Sequence, residues 1–153
     1  MDIIHAMNKK TFSRCMAIAL AQRLSAMPAV VVTGARQTGK STLVRMQPPE
    51  SRPYYSLDDI DVLDLARRNP EALLEGAANV TLDEVQREPD LLPSVKRAID
   101  NDRRPGRFIL TGSANLLLMQ GISESLAGRA SYLTLWPMTR REQLGLGRCG
   151  LWE

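Results

Sequence analysis

Histidine is nearly missing from this chain: His5 is the only one in 153 residues. A Ser-His-Asp hydrolase constellation therefore has almost nothing to recruit, and a Cys-His dyad has no support. Cysteine is also scarce. Cys15 and Cys149 lie far apart, and with His5 they form no metal-ligand spacing. A disulfide between them is open but unsupported by the spacing, and reduced thiols are the simpler reading. Aromatic residues make up 5% of the chain. Tyr54, Tyr55, Trp136 and Trp152 do not interleave with basic residues as a nucleic-acid surface would have them. No charge sign dominates: 20 Lys and Arg against 17 Asp and Glu leave a net charge of +3, too little to signal nucleic acid by itself. The pairs Arg67-Arg68, Arg103-Arg104 and Arg140-Arg141 read as exposed charge, with a nucleic-acid surface as the lesser alternative. No hydrophobic run approaches the roughly 20 residues of a transmembrane helix, so no membrane partner is expected. The segment from Cys15 to Ala21, after Lys9, Lys10 and Arg14, faintly resembles a signal peptide. Gln22 and Arg23 interrupt it, however, and Phe12, Met16, Leu20 and Leu24 recur at every fourth position. An amphipathic helix is the better reading, and the expected location is cytoplasmic. Internal repeats and low-complexity tracts are also lacking.

What is present centres on residues 34–42, Gly-Ala-Arg-Gln-Thr-Gly-Lys-Ser-Thr. This fits G-x-x-x-x-G-K-[ST], a loop that wraps phosphate groups. Gly34 and Gly39 can take backbone angles denied to other residues, so the loop can curl with its N–H groups pointing inward. The intervening Ala35, Arg36, Gln37 and Thr38 supply further N–H groups, and the start of the following helix, with Ser41 and Thr42, completes an anion hole. Lys40 adds a mobile cation able to reach β- and γ-phosphates, and Ser41 offers a hydroxyl to Mg²⁺. The context agrees. Residues 29–33 form a short β-branched run, as a buried parallel strand requires, and residues 41–46 read as a helix stopped by Pro48 and Pro49.

The chain is long enough for one domain with one core. A helix is expected from about Lys10 to Ser25, ended by Met27-Pro28. Further strands are expected at 54–57, 80–84, 107–111 and 132–136. Helices are expected after Asp58-Asp59, from Asn69-Pro70 to near Gly76, over 89–102, and from Leu116 to Met119. Strands alternate with helices from end to end, which predicts an α/β fold with a parallel sheet covered on both faces. In such sheets ligands sit at the carboxyl ends of the strands, where Gly34, Asp83, Glu84 and Ser113 all fall.

Those residues suit the hydrolysis of a magnesium-bound nucleotide. Asp83, fixed at a strand end, suits a metal holder, and the adjacent Glu84 suits polarising an attacking water. Ser113 is a candidate for sensing a γ-phosphate; Asn115 is a weaker one. Arg129 is a candidate arginine finger against the plainer reading of a solvated arginine. Arg36 either contacts phosphate or faces solvent. A small-molecule kinase fits less well, because paired carboxylates at a strand end suit water activation.

With these residues in place the chain resembles the AAA+ superfamily. More narrowly, it resembles prokaryotic predicted ATPases whose AAA domain precedes a C-terminal domain of unknown function. The matching residues are 33–42, 55–59 (Tyr-Ser-Leu-Asp-Asp), 82–87 (Leu-Asp-Glu-Val-Gln-Arg), 110–115 (Leu-Thr-Gly-Ser-Ala-Asn) and 125–129 (Ser-Leu-Ala-Gly-Arg). The resemblance implies a P-loop NTPase three-layer sandwich with a mostly parallel five-stranded sheet. Lys40 and Ser41 would then lie in the Walker A motif, with Asp83 and Glu84 in Walker B. Ser113 would be the first sensor and Arg129 the candidate finger. The implied cofactors are ATP and Mg²⁺. No guanine-reading Asn-Lys-x-Asp follows the loop, in agreement. A homo-oligomer is an implied form. Residues 1–28 are expected to pack a helix on the core, 29–137 to form the ATPase core, and 138–153 to be a truncated start of the next region. No lid is visible, and the family's C-terminal domain would normally supply partner contacts. The expected function is slow Mg²⁺-dependent hydrolysis of ATP to ADP and phosphate. A non-hydrolysing ATP-gated adaptor or an inert fragment of a longer ATPase are the alternatives.

Overall fold

A computed structural model of the chain describes residues 14–49, 51–113, 116 and 125–146. Its centre is β1 (Ala29–Thr33), every residue of which is buried. A strand buried on both faces must be apolar at consecutive positions, which is why Ala29-Val-Val-Val carries no alternation. Val30 and Val32 face one cluster, with Leu20, Leu24, Leu43 and Val44. Ala29 and Val31 face the other, with Leu63, Leu73, Val95 and Ile99. Each Val, Leu or Ile among them contributes about 1.5–3 kcal/mol by leaving water. The two clusters lie on opposite faces of one sheet, so the molecule has three layers.

The remaining strands are β2 (Tyr54–Ser56), β3 (Val80–Asp83), β4 (Phe108–Thr111) and β5 (Ala130–Thr134). All pairings are parallel, in the order β2-β3-β4-β1-β5. Val31 aligns with Leu110 on one side and Tyr132 on the other. The chain steps from β2 through β4 toward β1, and β5 then lies on the far side of β1. The succession thus reverses beside β1, and a crevice opens there at the carboxyl ends.

Helices α1 (Met16–Leu24) and α2 (Lys40–Arg45) contribute to the first cluster. Helices α3 (Ile60–Arg68), α4 (Pro70–Leu74) and α5 (Leu92–Asn101) contribute to the second. The last is α6 (Arg140–Leu144). Local signals start several of them. The Asp59 carboxylate accepts from the N–H groups of Asp61 and Val62, and Asn69 caps α4 with Pro70 at its first turn.

Several expectations shift. Among the described residues the first helix begins at Met16, where the Cys15 N–H is taken by the Glu142 carboxylate instead of a helical carbonyl; Lys10 and Phe12 lie outside the described residues. The segment 89–102 opens with a 3-10 turn, Pro89–Leu91, before α5. The fifth strand covers 130–134 rather than 132–136, since its register with β1 starts at Ala130 opposite Ala29. Cys15 is disulfide-bonded, against the expectation of reduced thiols. The helix expected from Leu116 to Met119 lies, except for Leu116, outside the described residues. Among the described residues no helix is long and apolar enough to cross a membrane.

Candidate functional site

The loop 34–39 leaves β1 at its carboxyl end and enters α2. Gly34 has φ +150, and a Cβ there would lie 2.3 Å from the carbonyl oxygen of Leu135. Only glycine lets the loop pass this close to the chain leaving β5. Gln37 (φ 63) and Gly39 (φ 88) then turn the backbone left-handed. The Thr38 hydroxyl donates to Ala35 O at 2.9 Å and closes the turn. The buried Lys40 ammonium donates to the carbonyls of Gly34 (3.2 Å) and Ala35 (3.0 Å), so its charge lies against the loop. Arg36, Gln37 and Thr42 are exposed. Arg36, Gln37, Lys40, Ser41, Thr42 and Glu84 line a polar cleft of about 660 Å³ at this end of the sheet.

Asp83, at the end of β3, is the hub of the site. Its carboxylate is 4% exposed, a costly placement for a charge unless it is hydrogen-bonded. Three hydroxyls from three different elements meet that demand. Ser41 of α2 donates to Oδ2 at 2.8 Å. Tyr54 of β2 donates to the same oxygen, and Thr111 of β4 to Oδ1, both through short bonds. Burial, with the bond to Asp83 second, pushes the Tyr54 phenol above its ordinary pKa, so it stays a donor. The Arg45 guanidinium stacks 3.9 Å over the Tyr54 ring.

Glu84 follows with φ 59, a left-handed conformation costing a non-glycine residue about 1–3 kcal/mol. Its N–H donates to Thr111 Oγ1 at 3.2 Å. Gln86 donates to its carboxylate and accepts from the Ser113 N–H at 3.4 Å. The carboxamide therefore links Glu84 to the chain leaving β4.

The structure thus brings together Lys40, Ser41, Asp83, Glu84 and Ser113. Asn115 lies outside the described residues. Arg129 is not brought to this group. It precedes β5, its carbonyl accepts from Ala29 N–H at the amino ends of the strands, and its guanidinium forks onto Asp100 at 2.6 and 3.0 Å. Tyr54, Thr111 and Gln86 join the site without having been singled out. A polar residue at a strand's carboxyl end was the available signal for Thr111.

Among the described residues no group of three His, Cys, Asp or Glu side chains could hold a metal alone. Mg²⁺ does not need one. It takes hard oxygens, commonly one or two carboxylates plus phosphate and water. The Ser41 hydroxyl and Asp83 carboxylate, in contact beside the loop, are donors of that kind.

The sequence matches the AAA domain family over residues 26–144. It is 38% identical over 131 residues to an uncharacterized protein of Mycobacterium tuberculosis and to one of Mycobacterium bovis. Each match covers 84% of this chain and 30% of the relative, so the chain spans about a third of the length of these curated relatives. The fold is similar to domain III of the replication initiation protein DnaA from Thermotoga maritima. The TM-score is 0.51 at 15% identity, over 83% of this chain and 62% of that one. With the phosphate-type loop, the three-layer parallel fold and this match over most of its length, the chain belongs to the AAA domain family of AAA+ P-loop proteins.

Proposed function

We propose that this chain binds ATP and hydrolyses it to ADP and phosphate with Mg²⁺. The observation that carries the proposal is the 2.8 Å bond between Ser41 and Asp83, which joins the end of the glycine loop to a buried carboxylate on another strand. A hydroxyl and a carboxylate converging beside an inward-curling loop are the parts a magnesium nucleotide requires.

In this reading the amides of residues 34–42 cradle the phosphates, and Lys40 exchanges its loop carbonyls for β- and γ-phosphate oxygens. Ser41 and Asp83 would hold the metal, which when bound neutralises charge developing on the phosphate oxygens. Glu84 accepts the proton of the attacking water once Gln86 releases or redirects its carboxylate. Ser113 reports the γ-phosphate to β4. Arg129 sits at the opposite end of the strands, so a role as an arginine finger would require a second copy of the chain. Residues 29–137 carry the ATP-handling core in this reading.

Titration of the parent and Lys40→Ala with Mg-ATP tests this. The parent should bind, and the variant should bind at least tenfold more weakly. Equal affinity in the two would overturn the assignment.

A further inference from the structure

Arg14 is a buried arginine far from any assigned role, and its guanidinium touches three segments. One terminal nitrogen donates to the carbonyl of Thr38, inside the glycine loop, at 2.6 Å. The other donates to the carbonyl of Trp136, just beyond β5, also at 2.6 Å. Nε donates to Glu142 Oε1 of α6 at 3.1 Å. Arg14 is 8% exposed and Glu142 6%, so the pair is shielded from solvent.

From this geometry we infer that Arg14 is a positioning residue for the glycine loop, and that through Glu142 it couples α6 to nucleotide affinity. The second half rests on the nucleotide-binding reading above.

The argument begins with one peptide unit. In a trans peptide the C=O and the following N–H point in opposite directions. Arg14 holds the Thr38 carbonyl on the loop's outer side, and the Gly39 N–H is thereby turned to the inner side. Gly39, at φ +88, has the freedom to take either orientation, so something must select one. A charge-assisted bond from a rigid, buried fork is a strong selector. A Cβ on Gly39 would meet the same guanidinium nitrogen at 3.5 Å, which confirms how closely the fork covers this peptide.

The other end of the connection is equally determined. Glu142 uses Oε1 for Arg14 and for the Cys15 N–H at 2.9 Å. Its Oε2 accepts from the Thr139 N–H at 2.8 Å, within the capping box that starts α6. One carboxylate therefore belongs both to the start of α6 and to the clamp on the loop. A shift or unwinding of α6 takes away the acceptor that orients Nε of the Arg14 fork, and nucleotide binding in turn favours the α6 position that keeps it, because such coupling is reciprocal.

The test uses the full chain with Arg14→Ala, Glu142→Gln and the double variant. Hydrogen exchange without nucleotide reads the clamp, and titration with Mg-ADP reads the coupling. In Arg14→Ala the amides of residues 35–40 should exchange at least tenfold faster while those of β1 keep parental protection. ADP affinity should fall at least tenfold, and several-fold in Glu142→Gln. In the double variant the Glu142 effect should vanish, because it acts through Arg14. Additive losses overturn the coupling, as does faster loop exchange with unchanged affinity. Parental exchange and affinity within twofold in a folded Arg14→Ala overturn the whole inference. Should Arg14→Ala fail to fold, Arg14→Lys carries the same expectations, since one ammonium keeps the charge beside Glu142 but cannot span three acceptors. A parent that binds no ADP would refute the nucleotide reading and the coupling, while the exchange data still decide the clamp.

Discussion

The two glycines of the phosphate-type loop should differ sharply in what they tolerate. At Gly34 a Cβ would stand 2.3 Å from the Leu135 carbonyl oxygen, about an ångström inside the roughly 3.3–3.6 Å usual for carbon against carbonyl oxygen. The obstacle cannot retreat easily. Leu135 is 1% exposed, its N–H donates to Thr33 O at 2.7 Å, and the next carbonyl, of Trp136, accepts from Arg14 at 2.6 Å, so the segment is held before and after the Leu135 carbonyl. Overpacking costs about 1–3 kcal/mol and the φ of +150 about 1–3 kcal/mol more, so Gly34→Ala should lose about 2–6 kcal/mol. At Gly39 the nearest atom is a guanidinium nitrogen of Arg14 at ordinary contact, 3.5 Å, which a methyl group need not displace. Gly39→Ala there meets mainly the left-handed φ, about 1–2 kcal/mol. Urea denaturation of both variants against the parent, at matched m-values, measures the two losses. Melting temperatures should follow at about 2–4 °C per kcal/mol. A Gly34→Ala variant no less stable than Gly39→Ala would refute the close-approach argument.

Two further perturbations follow from the buried carboxylates. Tyr54→Phe keeps the ring under Arg45 but removes one of three hydroxyls on Asp83; it should cost about 1.5–3 kcal/mol in denaturant unfolding, and a change within about 0.5 kcal/mol would mean the bond contributes nothing. For Glu142, burial raises the carboxyl pKa, but the N–H groups of Thr139 and Cys15 and the Arg14 guanidinium outweigh it and set it below its ordinary 4.5. A lowered folded-state pKa stabilises the fold above the unfolded value and is lost as pH falls through the folded one. The parent should therefore lose stability more steeply than Glu142→Gln as pH drops below 4.5, measured by denaturation at successive pH values; parallel curves would contradict this.

Much of the site was legible in the chain because its parts are local. The run Ala29–Thr33, the glycine spacing and the helix beginning at Lys40 are consecutive, and Asp83 and Glu84 end a strand whose apolar start is plain. The connections between those parts were not. Tyr54 and Thr111 read as ordinary strand residues until β2, β3 and β4 lie side by side, when both hydroxyls fall on Asp83. Gln86 is visible only after the left-handed turn at Glu84 folds it back toward Ser113. Arg14 looked like a basic residue on a helix, yet its partners lie 24, 122 and 128 positions away. The fifth strand was misplaced because Trp136 looks like a strand's apolar end, whereas it is 70% exposed and its carbonyl serves Arg14. Arg129 follows a glycine, the setting of a loop-borne finger, but the strand it precedes begins at the end of the sheet away from the loop.

If this constellation turns over ATP as proposed, the decisive residue is Glu84. Mg²⁺-dependent phosphate release should be measured for the parent and for Glu84→Gln, with ATP affinity determined for both. Loss of a positioned general base should lower turnover by about 10²–10⁴-fold while binding is kept. Equal turnover in parent and variant, or an ATP-bound parent with no turnover at all, would contradict the account.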